Sequence, residues 1–264
     1  MGSNTAGILL IAFGLLALTL LVGFIAFAVT RRIGGVYKDD APFGVIQASA
    51  FALVGLLLGF SFSLAVARYD QRRIVTVREA NAIGTTALRA QFLDPSLAGP
   101  MLNALRSYVQ ARIDFAAATA PGARDEPSRR SAMLQTQMWA MAVRAARHDP
   151  YSVEDMLFVQ TLNNTIDLSS EQAAALNATI PGSVLAIVIA VMLLAAALLG
   201  ANYGRSGRLG VAAYSVFAAM LALTVATIID LDRPQSGFIR VPLDSLVQTQ
   251  QLVESLKPVP LLTR

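Results

Sequence analysis

Four stretches of the chain run apolar for twenty residues or more, and the charged residues fall between them. The stretches cover residues 7–30, 42–67, 181–203 and 209–229, and none of them holds an Asp, Glu, Lys or Arg. A helix of about 20 apolar residues crosses a hydrocarbon core of about 30 Å. The pattern therefore predicts an all-α membrane protein with four transmembrane helices. Short polar loops at 31–40 and 204–208 join the helices into two pairs.

The two pairs flank a middle segment, residues 68–180, that carries most of the charge. No alternating strand pattern occurs there, and breakers divide it into helices, so it reads as a helical extramembrane domain. No Pro or Gly directly follows Arg68-Tyr69 at the end of the second span, and its helix is expected to continue to Leu93, where Asp94-Pro95 stops it. Further helices are expected over 100–119 and 128–147. Ser152-Val153-Glu154-Asp155 reads as a cap opening a helix to Asp167, with a shorter piece to Asn177. The tail, 230–264, holds four prolines and is expected to be extended or turning, with room for a short helix over 243–256.

Composition agrees with the membrane reading. Hydrophobic residues make up 55% of the chain and charged residues 14%, against about 25% charged in a soluble domain. With no cysteine, disulfides, thiolate metal sites and cysteine nucleophiles are excluded. The net charge of +4 does not cluster as a nucleic-acid surface requires, so no nucleic-acid partner is expected. Enzyme chemistry finds no footing either. His148 is the only histidine and reads as a solvated helix end, Trp139 reads as core packing, and neither a phosphate-binding glycine loop nor a Gly-x-Ser-x-Gly elbow is present. No cofactor or metal is expected.

Orientation is not decided by charge. Arg31, Arg32, Lys38, Arg205 and Arg208 lie on the short-loop side, against Arg68, Arg72, Arg73, Arg78, Arg233 and Arg240 near the span ends on the other.

The second span and its extension hold the candidate functional residues. Gly55 and Gly59, with Ser63 one turn on, form a small-residue face suited to close helix packing, within one subunit or between subunits. Ala52, Leu56 and Phe60 recur one turn apart on a neighbouring stripe. In a ring of subunits that stripe would make a narrow apolar neck, and otherwise it faces lipid or core. Arg68, Arg72 and Arg73 follow, either as interfacial anchors or as a basic collar that favours anions. Glu79, Asn81 and Arg89 sit in a small, apolar helix and read as a structural polar network. Glu79 has no basic residue three or four positions away, so its partner would come from another helix.

Two sets of residues carry a resemblance. Leu58-Gly59-Phe60 with Arg68 eight residues on looks like the second membrane helix of bestrophins. More specifically, Tyr69-Asp70-x-Arg72-Arg73 followed by Glu79-Ala80-Asn81-Ala82-Ile83-Gly84-Thr85 resembles the bestrophin-like family of bacterial membrane proteins, as does Asp232-Arg233-Pro234 with Gly237 after the last span. The resemblance implies a homo-oligomer, a pentamer by analogy with bestrophins, that conducts small anions such as chloride. It also implies a cytoplasmic middle domain and termini in a cell (inner) membrane, and a neck at Ala52, Leu56 and Phe60. Ala52 departs from the bulky residue of the bestrophin pattern, which implies a wider neck at that level. The acidic run of calcium-sensing bestrophins is missing after the last span. Two rivals stand beside the channel: a membrane-anchored scaffold or sensor whose helical domain binds a protein, and, least favoured, a membrane enzyme.

Overall fold

The structure is a computed structural model that describes residues 2–33, 41–120, 122–206, 210–233, 235 and 237–258. Residues 34–40 and 207–209 lie outside the described residues, so Lys38 and Arg208 are not placed, whereas Arg31 and Arg32 end α1 and Arg205 lies in the last turn of α6. The described residues form eight α-helices and one 3-10 turn, with no strand. In order, the helices are α1 (Gly2–Ile33), α2 (Ala41–Arg89), α3 (Pro95–Ala117), α4 (Asp125–His148), α5 (Val153–Asn177), α6 (Gly182–Ser206), α7 (Val211–Asp232) and α8 (Asp244–Ser255). The chain divides into two compact units. One holds residues 1–69 and 179–240, the other 70–178 and 241–264.

The first unit contains α1, the front of α2, α6 and α7. Each of these four helices is long and apolar enough to cross a membrane. Its core gathers Val54, Leu58, Val188, Met192, Leu221, Val225 and Ile228. The closest seam joins α6 to α1. A side chain at Gly200 would overlap the backbone of Gly23, and one at Gly204 would lie 2.7 Å from the Phe27 carbonyl. Only hydrogen at both positions lets the two backbones approach so closely, the mechanism of small-x-x-x-small packing in membranes. Across the same region Tyr214 of α7 donates its hydroxyl to the Thr19 carbonyl at 2.6 Å and covers Gly23.

The end of α7 is tied by its aspartates. Both oxygens of Asp232 accept the Ile180 N–H, at 2.9 and 3.1 Å. Asp230 is buried and accepts the N–H groups of Phe238 and Ile239. Gly237 has φ +153° and faces that carboxylate so closely that a Cβ would collide with it. Asp230 and Asp232, with Gly237, thus form a backbone-tying motif.

The second unit packs the back of α2 with α3, α4, α5 and α8 around Ile83, Met101, Leu102, Leu105, Tyr108, Met138, Phe158 and Leu162. Leu246 and Val253 bring α8 into this core, so much of the tail belongs to the helical unit. Several boundaries differ from the sequence expectation; α4, for example, opens at Asp125 rather than Ser128. The α geometry of α2 ends at Arg89 and tightens into a 3-10 turn over Ala90–Phe92. Asp94 precedes a proline and is pushed to extended backbone. Its carboxylate accepts the Ser96 N–H at 2.9 Å, which starts α3 at Pro95 and leaves Pro100 inside the helix. These hydrogen bonds from Ser96 hold the Asp94 carboxyl below its ordinary range. Finally, α5 runs unbroken past Asp167, because the Ser169 and Ser170 hydroxyls donate to the Ile166 carbonyl and the buried face continues through Gln172 and Leu176.

Candidate functional site

Along α2, one stripe is covered by the chain itself. Val54, Leu58, Ser61 and Ala65 are buried in the first unit; Arg72, Val75, Glu79 and Ile83 continue the same three-and-four spacing in the second. At about 100° per residue, Ala52, Leu56, Phe60 and Ser63 lie on the far side of the helix, about 120–180° from the stripe's centre. All four are exposed, Leu56 by 54% and Phe60 by 66%. The candidate neck residues therefore share one face, and no part of their own chain covers it.

Gly55 and Gly59 lie on the flank between these two sides. Nothing stands within 4 Å of where their side chains would be. They line an open groove of about 470 Å³ with Leu58, Phe62, Phe217, Met220, Leu221 and Thr224. Tight glycine packing inside the chain occurs instead between Gly23 of α1 and the pair Gly200 and Gly204, four apart on α6, which the sequence displays as plainly as Gly55 and Gly59.

The three collar arginines separate. Arg73 is exposed. Arg68 is partly buried, and its shielded Nε donates to no acceptor among the described residues. Arg72 is 1% exposed and donates to the carbonyls of Ala175, at 3.1 Å, and Ala178. Those carbonyls end α5, where an arginine satisfies unpaired acceptors and the negative end of the helix dipole. Arg72 thus departs from the collar expectation: it is an internal cap on α5. The signal for it was its register on the stripe of Val54, Leu58 and Ala65.

The polar group on α2 also sorts differently from the trio expected. Glu79 is fully buried and its Oε1 accepts from Arg112 Nε of α3 at 2.5 Å. Arg112 Nη2 bonds Gln172 Oε1 at 2.7 Å and the Ser169 carbonyl at 3.2 Å, and its guanidinium lies 4.7 Å from the Phe115 ring centre. Gln172 donates on to Thr76, and Gln135 donates to Tyr108 and Ser169. Burial pushes the Tyr108 phenol up, so this network carries a neutral phenol beside its ion pair. Asn81 is exposed and offers only its carbonyl, to Thr85. Arg89 reaches the Leu157 carbonyl at 2.9 Å, apart from the network. Sequence reasoning did not reach Arg112, Gln172 and Ser169, which share no local pattern with Glu79. Trp139, expected in the core, is 39% exposed on α4. Among the described residues no three acidic, histidine or cysteine side chains cluster to hold a metal.

Comparison with known proteins gives concordant results. The profile of the Bestrophin-like domain matches residues 12–246. A mutant of a bacterial Bestrophin homolog from Klebsiella pneumoniae superposes with a TM-score of 0.69 at 14% identity, over 92% of this chain and 97% of that one. A second mutant from the same organism gives 0.69 at 13% identity, over 92% and 98%. A structure described as a membrane protein gives 0.70 at 14%, over 94% and 99%. No curated protein matches the chain.

Proposed function

Because the chain belongs to the bestrophin-like family, we propose that it assembles with copies of itself, as a pentamer, into an ion channel that prefers anions such as chloride. One observation carries the reading: the Ala52, Leu56 and Phe60 stripe lies opposite the face that α2 buries in its own chain. In a ring with this stripe inward, Leu56 and Phe60 form an apolar constriction, widened at Ala52. Such a constriction controls ions through dewetting. Arg68, about two turns beyond Phe60, and Arg73, about three and a half turns beyond it, supply positive potential that raises the local anion concentration. The open Gly55 and Gly59 flank, with Ser63 beside it, gives a neighbouring subunit's helix a close approach. Arg72, Glu79 and Arg112 hold the helical domain together and take no part in conduction.

The family resemblance also places the helical domain and both termini in the cytoplasm. Reporter fusions at Arg124 and Arg264 test that: cytoplasmic activity at both positions is expected, and periplasmic activity at both reverses the orientation.

The decisive experiment reconstitutes purified protein in planar bilayers and measures its mass in detergent. An oligomer with anion-selective currents is expected. A folded oligomer that stays silent under all triggers favours the membrane-anchored scaffold instead.

A further inference from the structure

The outward face of α4 carries arginines near both ends and uncharged residues between them. From Pro127 to His148 the helix holds no acidic residue and four arginines, Arg129, Arg130, Arg144 and Arg147. Ser131, Met138, Met141, Ala142 and Ala145 face the core. At about 100° per residue, Arg129, Met133, Thr136, Ala140, Arg144 and Arg147 fall on the opposite side, and all six are exposed, Met133 by 66%. Trp139 flanks them, 39% exposed.

Helix stability alone does not account for this arrangement. Arg147 and His148 suit a helix C-terminus, but Arg129 and Arg130 lie near the positive N-terminal end. Asp125 and Glu126 stand one turn ahead of them, the spacing of helical ion pairs, yet neither pair closes. At the other end Asp94 lies across a small hollow from Arg144 and His148; it interacts electrostatically with His148 but forms no ion pair with Arg144. The guanidinium groups are therefore available, and arginine binds carboxylates in bidentate fashion.

We propose that the outward face of α4 docks an acidic segment of a second protein, with carboxylates at its two ends about 27 Å apart and apolar side chains between them that cover Met133 and Trp139. Arginine, tryptophan and methionine are the side chains enriched at protein interfaces. An anionic lipid surface needs charge without an apolar centre, and an amphipathic helix that inserts into lipid needs a free apolar face; α4 has spent its own on the core. Single-stranded nucleic acid would require base along the whole groove.

Full-length protein in neutral detergent micelles tests this with two labelled helical peptides of about 20 residues. One carries glutamates at both ends and Leu and Ala between; the other has the same composition with its glutamates in the middle. Binding is read by fluorescence anisotropy. The first peptide should bind about tenfold more tightly. Combined Arg129→Gln and Arg147→Gln should remove that preference. Combined Met133→Ser and Trp139→Ser should weaken the first peptide about tenfold and leave the second unchanged. All four positions are exposed, and circular dichroism checks that the variants fold. Equal affinity for the two peptides, or indifference to Met133 and Trp139, overturns the proposal. So does arginine-dependent flotation with phosphatidylglycerol vesicles by protein that ignores both peptides, which assigns the face to a lipid surface.

Discussion

Arg112 and Glu79 form a buried ion pair, with Nε and Oε1 2.5 Å apart and side-chain exposures of 4% and 0%. Arg112 also satisfies Gln172 and the Ser169 carbonyl, so three helices meet at one guanidinium. Removing one partner of such a pair leaves a buried charge uncompensated, at a cost of about 3–5 kcal/mol. Arg112→Met should therefore lower the unfolding temperature strongly, and the double change with Glu79→Leu should recover much of the loss. Thermal unfolding in detergent, followed by circular dichroism, checks both. A double variant no more stable than Arg112→Met would mean that the guanidinium's bonds to α5, and not its charge pairing, carry the site.

The two glycine pairs give opposite expectations. At Gly200 a methyl group would meet the Gly23 backbone, which cannot retreat as a flexible side chain can. Gly200→Ala should cost about 1–3 kcal/mol through overpacking. Gly55→Ala and Gly59→Ala meet nothing in their own chain and should leave the subunit's fold intact. If Gly59→Leu lowers the oligomer mass while the far-ultraviolet spectrum is unchanged, the open flank is an intersubunit surface. Unchanged mass and thermal stability would remove that role.

These pairs also show what a sequence can and cannot convey. The membrane helices were legible because charge-free runs longer than a bilayer are rare by chance. The path of α2 was legible too, since no proline stands between Pro42 and Asp94. What periodicity could not supply was the identity of the partner. Gly200 and Gly55 look alike until Gly23 is placed against one and open space against the other. Glu79 announced that it needed a cation, but Arg112 lies 33 residues away on a different helix. Arg72 was misleading for a chemical reason. Its charge argued for the interface, while its register argued for the interior, and the unpaired carbonyls that end α5 decided the matter.

Arg72 and Arg73 should accordingly behave as different residues. Arg72→Glu would place a buried carboxylate against carbonyl oxygens, at a cost of at least about 3 kcal/mol, and should give poorly folded protein. Arg73→Glu alters an exposed position and should leave the melting temperature nearly unchanged. If Arg73 belongs to a collar around a conducting path, its reversal should move the zero-current potential toward cations in a salt gradient. Well-folded Arg72→Glu protein would contradict its assignment as the cap of α5.

Phe60 provides the sharpest test of the conducting path. It is the largest exposed side chain on the stripe, one turn from Leu56 and about two turns from Arg68. If the stripe surrounds a shared axis, Phe60 narrows the path just before the positive potential begins, and its ring resists wetting. Phe60→Ala should then raise conductance or open probability without changing subunit stability, because the side chain has no cover in its own chain to lose. Leu56→Ala should act in the same direction, and Ala52→Phe in the opposite one, since it restores bulk at the widest level. Single-channel recordings of the three variants beside wild type separate the alternatives. Changes in all three with these signs place the stripe at the axis. An active wild type with all three variants unchanged puts the path elsewhere and leaves the stripe facing lipid.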